Sequence, residues 1–518
     1  MNSLMVVRQI GRFLVLLAIL LFTIGSFAAI SWWRGEASEA DATWAFLISG
    51  SISFGLGGFI LIGTMNAERD IGRREACLLV VSTWMVGAII SALPFAFWGS
   101  ICGEEEAMVF RGFVNPFFEA MSGLTTCGAT ILSDIESLPQ SILLWRSLIQ
   151  WIGGLGVVVL FVAVLPSLGT GGKRMFLTES TGPTPEGLRP HVRETARTLW
   201  SFYLGMTVAE IAMLMLFGMS PFESICHAFT TVSTGGFSTR NGSIAAFDSM
   251  AIEAVVTFFM LLSGVGFSLY YFAMRRRFEP IRRSSELHLY LGIVVVVSFC
   301  CFAVLYGNGM MNPDFRIDVI GGGEEPASIV QSARYSIFTV VSILTTTGYG
   351  TAVFEDWPGP ALVCLMGIIL VGGMAGSTAG GMKIIRVWIA GKLMISEVER
   401  EFRPSVIRPL KIGRSIISPE VRTSAIVLVL FTVTLVGVGA GLLKVFEGTD
   451  GIDLTTAASA AASAIANVGP GLGKVGADDN YLWMANGSKL TLTALMLLGR
   501  LELFVVLALF TRRFWDRG

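Results

Sequence analysis

The chain predicts an all-α polytopic membrane protein, with four pseudo-symmetric helix–half-helix–helix repeats around one central axis and an N-terminal two-helix hairpin. Three observations predict it. The 518 residues are 53% hydrophobic and 14% charged, with mean hydropathy +0.69, a balance that soluble globular domains do not show. Apolar runs of about 20 residues, the length that crosses a bilayer, recur along the whole chain. Four glycine-centred segments stand roughly 110 residues apart, a spacing that reads as internal duplication. They are Thr126-Cys127-Gly128-Ala129-Thr130, Ser233-Thr234-Gly235-Gly236-Phe237, Thr346-Thr347-Gly348-Tyr349-Gly350 and Asn467-Val468-Gly469-Pro470-Gly471.

The N-terminal unit, residues 1–72, is the hairpin. Its first apolar run, 13–33, follows Arg8 and Arg12 as in a signal peptide, but at about 20 residues it has the length of a retained span. A second run, 44–65, follows closely. A long apolar helix, a half-helix, a glycine segment and a second long helix then come four times. The first repeat, 73–190, uses 77–99, 116–124 and 142–168, and the second, 191–283, uses 195–219, 221–232 and 250–274. The third, 284–415, uses 287–306, 329–344 and 358–390, and the fourth, 416–518, uses 422–446, 454–466 and 482–511. The half-helices are too short to span and are expected to be re-entrant. Asn115-Pro116 and Ser220-Pro221 each set a capping residue before a first-turn proline, and Glu223 completes a capping box with Ser220. Each half-helix runs into its glycine segment, so its partially negative C-terminus points where a cation would sit. Non-helical backbone at membrane depth is tolerated only where it lines a cavity or is buried in protein, a condition that four segments meeting on one axis satisfy.

Charge orients the chain. Arg69/Arg73/Arg74, Lys173/Arg174, Arg275/Arg276/Arg277 with Arg282/Arg283, the 400–414 loop and Arg512/Arg513 fall on one side if each unit contributes two spans. That side is cytoplasmic by the positive-inside rule, and both termini join it. The opposite side carries Glu36, Glu39, Asp41, Glu104/Glu105/Glu106, Glu324/Glu325 and Asp478/Asp479, either a weakly acidic mouth that concentrates cations or ordinary solvated loops. A net charge of −1 offers nucleic acid no basic field. Three scattered histidines, His191, His227 and His288, argue against a histidine metal site and a membrane enzyme. Seven cysteines, mostly in apolar segments, argue against a disulfide framework.

The third glycine segment differs by one residue from the TVGYG of potassium channel filters. A potassium ion gives up its water only where oxygens replace the hydration shell, and backbone carbonyls aided by threonine or serine hydroxyls do so. Successive carbonyls face one axis only with unusual dihedrals, which glycine permits. The candidate ion ligands are therefore Thr126, Cys127 and Gly128; Ser233, Thr234 and Gly235; Thr346, Thr347 and Gly348; and Asn467, Val468 and Gly469. One such triplet is a weak signal, whereas four, each between a half-helix and a span, are specific. Asn467 replaces the usual threonine, and Cys127 and Ala129 loosen the first segment, so fewer high-affinity sites are expected than in a symmetric channel. The expected cargo is K+, with no cofactor on this chain.

Residues 372–381 put five glycines within the third repeat's last helix, more than close packing requires. A kink or unwound loop is expected there, with Gly372, Gly373, Gly376, Ser377, Thr378, Gly380 and Gly381 as candidate gate elements. Arg500 lies within the last span, where an arginine is costly and by default functional. The alternative is a structural ion pair, for which Glu502, on nearly the opposite helix face, is not the obvious partner. Gly153-Gly154-Leu155-Gly156 imitates a dinucleotide fingerprint without its strand and reads as helix packing against a half-helix.

On the four glycine segments, residues 150–156, 235–239 and 372–381, and Gly499-Arg500-Leu501-Glu502, the chain resembles the Trk/Ktr/HKT cation transporter superfamily, specifically its bacterial TrkH/TrkG branch. The likeness covers essentially the whole chain, including the hairpin. It implies four repeats around one ion pore per subunit, a homodimer in the bacterial cytoplasmic (inner) membrane, and a cytoplasmic ring of TrkA-type regulatory subunits that bind nucleotides. It also implies that the glycine-rich loop is a gate under the filter and that Arg500 projects into the pore below it. Glycine in all four segments is the pattern the family associates with potassium, whereas serine in the first would suggest sodium. The expected function is potassium uptake by a channel-like, potential-driven pathway. The rivals are a mixed sodium/potassium transporter and a proton- or sodium-coupled one, the latter using carboxylates among Glu119, Glu210, Glu253 and Glu502.

Overall fold

The computed structural model describes residues 3–65, 72–103, 105–163, 188–403, 409–413, 415–448, 450–501 and 503–516. Arg69, Glu104, Lys173, Arg174, Glu502 and the predicted helix end 164–168 lie outside the described residues. The hairpin pairs Ser3–Trp33 with Glu39–Gly63. Small residues set its closeness, since a methyl group at Gly57 would sit 2.9 Å from Gly11 O. The first repeat comprises Arg73–Ile101, the half-helix Val114–Leu124 and Gln140–Ala163, and the second comprises Leu188–Leu216, Pro221–Val232 and a broken helix. The third runs Ser285–Met311, Ile329–Leu344, Gly359–Ile369 and Ile384–Phe402, and the fourth Pro419–Glu447, Leu454–Ala466 and Asn486–Arg500. Among the described residues six helices are long and apolar enough to cross a bilayer, and two bent pairs pass the same test jointly. This is a helical, multi-pass membrane protein. Its outward side chains, such as Phe59, Leu216, Phe299 and Val445, are apolar and exposed, as lipid contact requires.

The last helices of repeats two and four do not run through as predicted, and that of repeat three is interrupted at its glycine-rich stretch, as expected. Residues 250–274 divide at Gly264–Gly266 into Met250–Ser263 and Phe267–Met274, bent by 95°. Two glycines two residues apart weaken the helix there, and the 370–383 loop occupies the gap: Met374 N–H donates to Gly264 O at 3.0 Å and Phe267 N–H to Gly376 O at 3.0 Å. The third repeat's helix stops at Ile369 and restarts at Ile384, so of the kink or unwound loop expected there, the loop is what forms. The fourth ends at Arg500 instead of continuing to 511, and a short helix resumes at Leu503–Leu509.

Capping follows the sequence in one of the two predicted cases. Ser220 accepts from Glu223 N–H at 3.3 Å and donates to the Glu223 carboxylate at 2.7 Å. Asn115 is not a cap: the first half-helix starts at Val114, and Asn115 Nδ2 instead donates to Val109 O at 2.7 Å. The other half-helices have unpredicted caps, Ser328 accepting from Gln331 N–H at 3.3 Å and Asp453 from Thr456 N–H at 3.1 Å. Among the described residues two short β-hairpins are likewise absent from the sequence reading, one of them beside the third glycine segment. Arg316–Asp318 pairs antiparallel with Glu324–Pro326, in the register Ile317 to Glu325, and Val319 bridges to Ala352 beside the third glycine segment.

Two large apolar clusters form the interior. One joins the hairpin to repeats one and four, and the other joins repeats two and three to residues 462–472. The glycine segments are almost wholly buried and contribute to both clusters, Cys127 and Ala129 to the first and Tyr349 and Val468 to the second.

Candidate functional site

All four half-helices end in the same way. Thr126, Thr234, Thr346 and Asn467 take left-handed φ values of 55°, 57°, 57° and 56°. The following N–H reaches five residues back: Cys127 to Ser122 O at 2.8 Å, Gly235 to Thr230 O at 2.8 Å, Thr347 to Ser342 O at 2.9 Å, and Val468 to Ser463 O at 3.0 Å. This is a Schellman cap, which normally places glycine at the left-handed position. Three threonines there each cost about 1–2 kcal/mol, strain of a kind that clusters at functional sites.

Two residues later comes a glycine with positive φ: Gly128 at 86°, Gly236 at 78°, Gly348 at 79° and Gly469 at 104°. The second segment's register is therefore Thr234-Gly235-Gly236. Ser233 is the helical cap residue, equivalent to Thr125 and Thr345, and Gly236 rather than Gly235 matches the other three glycines. A methyl group would sit 2.3 Å from Gly235 O at Gly128, 1.9 Å from Thr347 O at Gly236, 2.0 Å from Val468 O at Gly348, and 2.7 Å from Cys127 O at Gly469. First meets second, second meets third, third meets fourth, and fourth meets first. The four segments form a closed ring around one axis, packed so closely that only glycine fits at each contact.

Two ion pairs, one of them fully buried, brace this ring. Glu119 is fully buried, pairs with Arg146 at 2.8 Å, and accepts from Thr130 Oγ1 and Ile131 N–H at 3.0 Å each. Arg146 also donates to Ser238 O at 3.3 Å and lies 4.2 Å from the Phe237 ring centre, so it ties the first segment's exit to the second's. Glu253 pairs with Arg334 of the third half-helix at 2.6 Å. Arg146 and Arg334 were missed from the sequence, although Arg146 carried the same signal as Arg500, a basic residue within an apolar run. Half-buried Glu355 accepts from Ala477 N–H at 3.3 Å, linking the loops that follow the third and fourth segments. Burial, with Asp479 and Asp356 nearby, pushes its carboxyl up to about 7.

The 370–383 loop lies against the inner ends of the half-helices. Gly380 N–H donates to Thr346 Oγ1 at 2.6 Å, Gly381 N–H to Ala466 O at 2.9 Å, and Thr378 Oγ1 is 3.1 Å from both Val232 O and Ser263 O. Gly372, Gly376 and Gly381 have φ of 75°, 74° and 72°, a methyl group at Gly373 would sit 2.7 Å from Ala379 Cβ, and Ser377 Oγ closes a turn onto Met374 O at 2.7 Å. Arg500 is buried and donates to Thr378 O at 2.8 Å and Gly153 O at 3.3 Å. No carboxylate of a described residue pairs with it. The packing role read for the 153–156 glycines fits the contacts, since a methyl group at Gly153 would sit 1.9 Å from Leu124 O.

A four-repeat helical membrane protein, with four re-entrant segments closed on one axis, belongs to the class of membrane transport proteins. A profile of TrkH, described as a cation transport protein, matches residues 43–516. The chain is 36% identical over 492 residues to the Trk system potassium uptake protein TrkH of Halomonas elongata, covering 92% of this chain and 94% of that one. It is 34% identical to the Escherichia coli K12 protein of the same description, covering 91% and 92%. The crystal structure of the potassium transporter TrkH from Vibrio parahaemolyticus superposes with a TM-score of 0.85 at 30% identity over the whole of both chains. The chain belongs to the TrkH family.

Proposed function

We propose that this protein takes up potassium across the bacterial cytoplasmic membrane by a channel-like, potential-driven pathway, with both termini cytoplasmic. The closed ring of the four glycine segments carries this reading, because it gathers carbonyls from four equivalent positions about one axis, as potassium dehydration requires. The 370–383 loop beneath it is the gate, and Arg500 is the pore residue that holds the gate. The potential supplies the drive: one monovalent cation gains about 2.3 kcal/mol per 100 mV, or roughly 50-fold accumulation by the rule of about 1.4 kcal/mol per decade. A homodimer and a nucleotide-binding cytoplasmic ring are the proposed partners; the relatives' description as parts of a Trk system supports the second.

The test is rubidium-86 uptake into proteoliposomes under an inside-negative potential, without proton or sodium gradients. Uptake displaced far better by potassium than by sodium is expected, and equal displacement would favour the mixed-cation reading. One observation favours a proton-coupled alternative. Glu210 is fully buried, and neither of its oxygens has a hydrogen-bond partner among the described residues, whereas Glu119 and Glu253 are held in ion pairs. Uptake that needs a proton gradient and loses that need in Glu210→Gln would select that alternative.

A further inference from the structure

The ring of carbonyls is not equivalent in its hydrogen bonding. Among the described residues Cys127 O, Thr347 O and Val468 O accept no hydrogen bond, but Gly235 O accepts from Gln150 Nε2 at 2.7 Å. In the next layer Gly128 O, Gly236 O and Gly348 O are likewise free, but Gly469 O accepts from Tyr481 Oη at 2.8 Å. Each layer thus has one tethered oxygen, on the second and fourth segments, which face each other across the ring. Both tethers are firmly seated. Gln150 is fully buried, and its Oε1 accepts from Phe237 N–H at 3.1 Å, which fixes the amide with its NH2 toward Gly235. Tyr481 is buried, donates its own N–H to Thr130 O at 2.8 Å, and lies 5.6 Å from the Phe118 ring. Gly235 is glycine because of the first tether: a methyl group there would sit 2.4 Å from Gln150 Cδ.

We propose that Gln150 and Tyr481 are specificity-determining positioning residues, which hold one carbonyl in each layer and keep it from closing on an ion smaller than potassium. The inference rests on the filter reading above. Selectivity depends on how far and how strongly the coordinating dipoles collapse around the ion, and a carbonyl already accepting a hydrogen bond resists that collapse. Releasing it lets sodium compete.

The test compares the parent protein, Gln150→Met and Tyr481→Phe in the rubidium uptake assay, measuring the sodium and potassium concentrations that halve uptake and, separately, the maximal rate. Each variant should lower the sodium-to-potassium ratio of those concentrations by about five- to tenfold, the weight of one neutral hydrogen bond, at a nearly unchanged maximal rate. A merely structural role would lower the rate and leave the ratio intact, and that result overturns the proposal. Should Gln150→Met fail to fold, Tyr481→Phe, which removes one hydroxyl, decides alone. A parent protein that does not prefer potassium sinks the filter reading itself. A selective parent with two equally selective variants sinks only this inference.

Discussion

Replacing Arg500 with methionine should speed transport. The buried guanidinium joins the 370–383 loop, the proposed gate, at Thr378 O, 2.8 Å away, to the first repeat at Gly153 O, 3.3 Å away. A hydrogen bond from a charged group contributes about 1.5–3 kcal/mol, equivalent to roughly ten- to a hundredfold in the population of a withdrawn loop. The low end is expected, because Gly380 stays bonded to Thr346 and Gly381 to Ala466 O. Methionine nearly preserves the volume and removes a buried charge that no described carboxylate pairs, so folding should not suffer. The assay is the maximal rubidium flux per protein in proteoliposomes, with Arg500→Lys alongside to keep the charge without the planar fork. Arg500→Met should be about tenfold faster and Arg500→Lys intermediate. A monodisperse Arg500→Met protein with flux at or below the parent's would refute the proposed gating role of Arg500.

Three further outcomes are expected. Gly128→Ser puts a side chain 2.3 Å from Gly235 O on a backbone with φ of 86°, so sodium should displace rubidium about five- to thirtyfold better, given the cost of roughly 1–2 kcal/mol for a left-handed non-glycine residue; an unchanged ratio of potassium to sodium flux would contradict this. Gly236→Ala, blocked by backbone at 1.9 Å, should abolish uptake, whereas Gly235→Ala, blocked by the Gln150 side chain, should recover when Gln150 is shortened to serine; equal and unrescued losses would refute the register. The carboxyl of Glu355 is raised from 4.5 to about 7, so the folded state binds a proton more readily than the unfolded one, and stability should fall as pH rises between those values and level off above about 7. Thermal unfolding in detergent should show that slope in the parent protein and a flatter one in Glu355→Gln.

Much of the fold was legible because the bilayer makes sequence constraints unusually strong. Span length, repeated glycine segments and half-helices too short to cross are dictated by the cost of unpaired backbone in lipid. The glycine-rich stretch 372–381 announced its loop. The break at Gly264–Gly266 did not, because its unwinding is stabilised by hydrogen bonds from a loop more than a hundred residues away. The register error has a simpler origin. Ser233-Thr234-Gly235 matches the serine/threonine–x–glycine pattern, yet the left-handed residue is set by the Schellman bond to a hydroxyl-bearing residue four positions earlier. Aligned on Ser122, Thr230, Ser342 and Ser463, the segments fall into place with Gly236 as the equivalent glycine. Arg146 was overlooked because its partner, Glu119, is 27 positions away, on a half-helix that only the re-entrant fold brings near. The tether from Gln150 left no mark in the sequence apart from the second glycine, Gly235.

The most direct test of the carbonyl ring is anomalous diffraction from crystals of this protein grown in rubidium. A rubidium peak on the axis bounded by the carbonyls of Cys127, Gly235, Thr347 and Val468, displaced by potassium and retained in sodium, is the expected result. A well-ordered ring with rubidium bound elsewhere, or displaced equally by sodium, would contradict the assignment of these four segments as a potassium filter.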